Sequence, residues 1–255
     1  MPATARYPSL EDLPVLITGG ATGIGATLVE HFVAQGARVG FIDLDEAAGH
    51  ALVQRLAGGT AHAPVFVAAD LTDIPALQAA IAHIRAAIGP IRALFNNAAN
   101  DRRQAIATLS ATDWDAGVAV NLRHQFFAAQ AVIPDMRAAG GGSIVNFGSM
   151  SWKAKQGGMP VYTSCKAAVQ GLTRGMARDL GPDGIRVNTL VPGWVMTEKQ
   201  LQHRIDAAAR VEIDRNQCIP RPLMPEDIAA MALFLAAEDS AMCTGQDFVV
   251  DAGWT

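Results

Sequence analysis

The chain has 255 residues, of which 50% are hydrophobic, and a formal net charge of −4. No Lys/Arg block exceeds two residues and no apolar run approaches the ~18–20 residues of a membrane span, which argues against nucleic-acid and membrane partners. The three cysteines, Cys165, Cys218 and Cys243, form no CxxC pair, and with the histidines they show no metal-ligand spacing. The expectation is a cytoplasmic protein without disulfides or a metal.

Residues 1–12 read as a tail without the apolar segment of a secretory signal. Short apolar runs then alternate with helical stretches. Strands are predicted over 14–18, 38–43, 63–70, 91–97, 142–149, 185–192 and 247–251. Helices are predicted over 23–36, 45–58, 73–88, 111–139, 160–180 and 225–237, the fourth as one long helix. A polar segment, 196–224, interrupts the pattern. The strands are continuously apolar, so both sheet faces are covered. Repeated strand–helix units predict an α/β fold: one Rossmann-like domain over 1–255, with a doubly wound parallel sheet of about seven strands. Ligands of such sheets lie beyond the carboxyl ends of the strands.

After the first strand comes "TGGATGIG". Its glycines, Gly19, Gly23 and Gly25, let backbone turn sharply and approach a pyrophosphate at a helix N-terminus, with Thr22 and Ile24 between them. The second strand ends at Asp43, followed by Leu44. A carboxylate there accepts both ribose hydroxyls and repels a 2′-phosphate; the alternative is a helix N-cap. No basic residue directly follows Asp43 or lies in the glycine turn, which favours NAD, with NADP as the second choice. Asp70, after the third strand, suits an adenine amino group with Leu71 against the ring, or caps the next helix. The fourth strand ends in "NNAAN", where Asn97 braces loops and Ala98 lets backbone approach the cofactor.

The chain has two tyrosines, and one of them, Tyr162, stands four residues before Lys166 on a predicted helix. Residues i and i+4 share a face, so phenol and ammonium point into one cleft. A phenol titrates near ~10. A neighbouring ammonium and an oxidised nicotinamide both favour the phenolate, which predicts a lowered pKa and a general base. Ser149, at the end of the fifth strand, holds the substrate oxygen. Lys166 also contacts the nicotinamide ribose, and Asn121 anchors a water that relays protons from Lys166. An isolated YxxxK is otherwise an ordinary helix surface.

Taken together, "TGGATGIG", "NNAA", Asn121, Ser149 with YxxxK, and "VPGWVMT" resemble the short-chain dehydrogenase/reductase family over nearly the whole chain. The resemblance implies a catalytic tetrad of Asn121, Ser149, Tyr162 and Lys166. It also implies that Pro192, Gly193, Val195 and Thr197 contact nicotinamide and pyrophosphate, and that the protein is a homotetramer. Ala99 departs from the family's usual Gly, and Cys165 reads as inert packing.

The loops that follow the fourth and fifth strands are polar. Asn100, Asp101 and Gln156 offer hydrogen-bond partners and Trp152 a flat apolar face, a set that suits a sugar ring; the alternative is solvated loop. "NNAAND", "NLRH", "FGSMSW" and "CTG…DAGW" resemble bacterial aldose 1-dehydrogenases, which oxidise the anomeric hydroxyl of D-xylose, L-arabinose or D-galactose to a lactone. On that resemblance the segment 196–224 is a substrate lid, and Arg123 and His124 are structural. The alternatives are an alcohol dehydrogenase or keto reductase with a non-sugar substrate, and a non-catalytic dinucleotide-binding protein.

Overall fold

The computed structural model describes residues 5–203 and 205–255. Residues 1–4 of the expected tail and residue 204 of the expected lid lie outside them. The strands are β1 (Pro14–Thr18), β2 (Arg38–Asp43), β3 (Val65–Ala68), β4 (Ala93–Asn96), β5 (Gly142–Phe147), β6 (Ile185–Pro192) and β7 (Asp247–Val250). They form one parallel sheet in the order β3-β2-β1-β4-β5-β6-β7. The helices are α1 (Gly23–Ala34), α2 (Glu46–Leu56), α3 (Ile74–Ile88), α4 (Ala111–Val118), α5 (His124–Ala138), α6 (Pro160–Leu180), α7 (Glu198–His203), α8 (Ala207–Asn216) and α9 (Pro225–Ala236).

Successive strand residues point to opposite faces. Val15 and Ile17 of β1 enter a core with Leu28 and Phe32 of α1 and Ile228 and Leu233 of α9. Leu16 enters the opposite core with Leu77 and Ile81 of α3, Val132 of α5 and Leu180 of α6. Both faces are therefore covered, which is why the inner strands read as unbroken apolar runs. The chain runs outward from β1 to β3, then returns to place β4 on the other side of β1. The connections beyond β1 and β4 consequently diverge and leave a crevice at the carboxyl edge.

One expectation needs correction, and the expected tail has contacts of its own over 5–12. The Gln35 side chain donates to Ala5 O (2.8 Å) and accepts from Tyr7 N (3.0 Å), and Leu10, in a short 3₁₀ turn, is fully buried. The long helix predicted over 111–139 is broken between α4 and α5 by a π-helical turn at Ala119–Arg123. Asn121 Nδ2 donates to Gly117 O (3.0 Å), so a side chain takes a carbonyl that the regular helix would use.

Candidate active site

The crevice is a cleft of about 490 Å³ at the carboxyl edge of the sheet. At one end lies the turn between β1 and α1. Gly19 has φ +67°, and a Cβ on Gly25 would fall 1.8 Å from Gly19 O, so no larger residue fits that position. Asn97 Nδ2 donates to Gly19 O (2.8 Å) and Thr18 O (3.2 Å), and Ala98 N donates to Thr18 Oγ1 (3.2 Å). The loop after β4 thus fastens the turn after β1, the bracing expected of Asn97.

Asp43 lines the cleft at the end of β2. Its carboxylate accepts from Ala21 N (2.9 Å) and Asp45 N (3.1 Å). It is not the cap of α2, because that cap is Asp45, which accepts from Ala48 N. Asp70 is likewise not a helix cap: Asp73 caps α3, while Asp70 accepts from Thr72 N and Oγ1. Asp70 and Leu71 also line the cleft, and so does Leu44, which is 74% exposed. Among the described residues that line it, the basic ones are Arg103, Lys166 and Lys199. They come from the loop after β4, from α6 and from α7, and the Asp43 end has none. A backbone cradle, a carboxylate at the end of β2 and open apolar surface fit a dinucleotide.

At the other end, Ser149, Tyr162 and Lys166 line the same cleft. Ser149 Oγ accepts from Ser151 N (3.1 Å) and hydrogen-bonds the Tyr162 phenol. Lys166 is 1% exposed; its Nζ donates to Phe147 O (2.7 Å) and lies 5.6 Å from the centre of the Tyr162 ring. The expected lowering of the phenol pKa does not hold in the cofactor-free protein. Burial pushes Tyr162 up to about 12, opposed by the Ser149 hydrogen bond and reinforced by the charge of Asp101. Burial likewise pushes Lys166 down to about 8. Each group is held toward its neutral form because little water reaches either charge.

Twenty of the predicted site residues line the cleft, Asn100, Asp101, Gln156, Pro192, Gly193, Val195 and Thr197 among them. Three do not: Gly23, Asn121 and Trp152. Gly23 sits behind Thr197, which a Cβ on it would meet at 3.3 Å. The amide of Asn121 is committed to the β4 loop, giving to Asn100 O (3.1 Å) and accepting from Asn100 N (2.8 Å). It fixes the loop that carries Asn100 rather than projecting toward ligand, so its expected role as a water anchor is not evident in its side chain. Trp152 faces a second, shallower hollow with Lys155 and Thr163, so it offers no face to the cleft.

The cleft also contains residues that sequence reasoning passed over. Trp194 lines it between the predicted Gly193 and Val195. Its signal was its place inside "VPGWVMT". Arg103 donates to Gly157 O (3.1 Å), joining the two polar loops. Lys199 on α7 pairs with Asp101 at 3.1 Å, which links the segment 196–224 to the opposite rim. No metal-binding cluster of His, Cys, Asp or Glu occurs among the described residues, and no helix is long and apolar enough to cross a membrane.

Comparison with known proteins agrees with this architecture. The family model described as enoyl-(acyl carrier protein) reductase matches residues 19–255. A probable galactose dehydrogenase of Rhizobium meliloti is 43% identical, over 98% of both chains. A D-xylose 1-dehydrogenase of Caulobacter vibrioides is 42% identical, over 99% of both. The crystal structure of a blue fluorescent protein from a metagenomic library, in complex with NADPH, superposes with a TM-score of 0.88 at 30% identity, covering 97% of this chain and 99% of that one. With the glycine turn, the crevice and the Ser149–Tyr162–Lys166 arrangement in one place, the chain belongs to the short-chain dehydrogenase/reductase family of NAD(P)-dependent oxidoreductases.

Proposed function

We propose that the protein oxidises the anomeric hydroxyl of an aldose, a pentose such as L-arabinose or D-xylose or the hexose D-galactose, to the aldonolactone, with NAD as acceptor. One observation carries the reading: the Ser149–Tyr162–Lys166 group shares its cleft with a polar rim of Asn100, Asp101 and Gln156. Such a rim suits a polyhydroxylated ring better than an acyl chain. The names of the two relatives, each a sugar dehydrogenase, support it. The acidic Asp43 and the lack of basic residues near it favour NAD over NADP.

Ser149 holds the substrate oxygen by the phenol, and Tyr162 removes its proton as the general base. Bound NAD would supply the hydride acceptor for C1 and a positive charge favouring the phenolate that burial alone disfavours. Lys166 adds positive charge and holds the nicotinamide ribose. Asn121 fixes the loop that presents Asn100. The segment 196–224 covers the substrate and excludes water. Gly19, Thr22, Gly23, Ile24 and Gly25 form the pyrophosphate turn. Asp43 and Leu44 take the adenosine ribose, and Asp70 and Leu71 the adenine. Asn97, Ala98, Pro192, Gly193, Val195 and Thr197 flank the nicotinamide half.

We propose a homotetramer as well, located in the cytoplasm. Trp114 on α4 and Phe126 on α5 are 41% and 42% exposed, and Val249 on the edge strand β7 is 38% exposed, which supports apolar contact surfaces there.

A spectrophotometric panel of aldoses against NAD and NADP tests the reading. NADH should form with at least one pentose or galactose. No reduction of either cofactor with any aldose overturns the substrate, and a preference for NADP overturns the role given to Asp43. Tyr162→Phe should lower turnover by roughly 10²–10⁴-fold while NAD still binds. Unchanged turnover would exclude Tyr162 as the base.

A further inference from the structure

We infer that Trp194 is the flat wall of the substrate subsite, and that Trp254 is a positioning residue that holds it in place. The inference rests on the aldose reading and names the residue that receives the apolar face of the sugar ring. Trp152, the aromatic first expected there, faces away into the second hollow. Trp194 is the tryptophan that lines the cleft with Ser149 and Tyr162. A sugar ring presents C–H groups on its faces, and a half-buried indole offers a rigid apolar plane at small entropic cost.

Two contacts of the ring, each with a supporting bond, fix the orientation of that plane. The indole Nε1 of Trp194 donates to Gln200 Oε1 on α7 (3.1 Å), and Gln200 N donates to Thr197 Oγ1 (3.3 Å). Trp194 also packs on Trp254, with ring centroids 6.1 Å apart and planes tilted by 49°. Gly193, beside Trp194, donates its N–H to Val250 O (2.9 Å), so the chain after β6 lies against the end of β7.

Trp254 is itself held by a built turn. Asp251 is 5% exposed, and its carboxylate accepts from Gly253 N (2.9 Å), Thr255 N (2.8 Å) and Thr255 Oγ1 (2.9 Å). Ala252 sits at φ 59°, a region L-residues seldom occupy, and its carbonyl accepts from Cys218 N (2.8 Å) and Ile219 N (3.2 Å). Cys218 and Ile219 belong to the segment 196–224. The turn that presents Trp254 is thus fastened to the lid, and Trp194 stands between this turn and α7.

The test is steady-state kinetics on Trp194→Leu, Trp194→Phe, Trp254→Ala and the double variant Trp194→Leu/Trp254→Ala, with wild type alongside. Trp194→Leu keeps apolar bulk without a ring face and should raise the aldose KM about tenfold, leaving the KM for NAD within about twofold. Trp194→Phe restores a ring and should return most of the loss. Trp254→Ala should raise the aldose KM in the wild-type background and have little further effect beside Trp194→Leu, because it acts through that residue. An unchanged aldose KM in Trp194→Leu, or a parallel rise in the KM for NAD, overturns the wall. An equal effect of Trp254→Ala in both backgrounds overturns the positioning role. If wild type oxidises no aldose, the aldose reading falls and this inference with it. Wild-type activity combined with an indifferent Trp194→Leu sinks this inference alone.

Discussion

His124 is a charge that the fold refuses. It is fully buried at the start of α5, and its ring nitrogens make no well-formed hydrogen bond, only weak contact with the backbone of Ala119 and Val120. Burial first, then the charge of Lys166, pushes its pKa from 6.5 down to about 3. The folded protein therefore stays neutral there while the unfolded chain takes up a proton below 6.5. The stability that depends on this neutrality is complete above that pH and drains away as pH falls toward about 3. Each pH step in that window is worth up to ~1.4 kcal/mol. Denaturant melts of wild type should show this acid slope, and His124→Leu should show a shallower one; parallel curves would mean that other groups set the acid limit. At this scale the sequence was legible where a residue type has few other uses, as for Tyr162 and Lys166. It misled where burial decides. The opposing pulls on the phenol can be ranked only once the surroundings of both side chains are known.

Among the elements, the π-helical turn matters most, because it converts a helix into a clamp. Asn121 binds Gly117 O behind it and both backbone polar groups of Asn100 in front. Asn121→Ala leaves those groups without these bonds, at a cost of ~0.5–1.5 kcal/mol. Turnover should fall more than NAD affinity, since the loop that loosens is the one at the substrate end. Thermal melts and kinetics on that variant check both effects; intact turnover would mean that the loop holds itself. The seven strands and the helices of the repeating units were readable to within a few residues from apolar runs and spacing. The break at Ala119–Arg123 was not, because periodicity does not register a side chain that intercepts a backbone carbonyl. The helices α7 and α8 within 196–224 were also missed. Their surfaces are polar and exposed, so they carry little amphipathic signal.

Across the whole molecule, the strand order dictates where chemistry takes place. The reversal between β1 and β4 gathers the glycine turn, Asn97, Ser149 and Tyr162 from stretches well over a hundred residues apart into one cleft. That geometry was foreseeable from repeated strand–helix units, whereas the face taken by each aromatic was not, as Trp152 and Trp194 show. The charge along the cleft is uneven, with the basic residues at the end of Ser149 and Tyr162 and Asp43 at the other. NAD at about a hundred times its Kd should add ~2.7 kcal/mol to the unfolding free energy. In a chain of this size that is a melting shift of roughly 5–10 °C. The same concentration of NADP should give a clearly smaller shift, and equal shifts would contradict the preference drawn from Asp43. The carboxylate of Asp43 also folds the very turn beside it, through Ala21 N and Asp45 N. On the proposed ribose role, the acid would have two tasks, and a lineage moving toward the phosphorylated cofactor by discarding it would also loosen the turn. The passable first step would be the neighbouring Leu44, whose exposed side chain can become basic while the turn stays built. Under that proposal cofactor choice is historically sticky: the order in which substitutions arrive decides whether the intermediates still function.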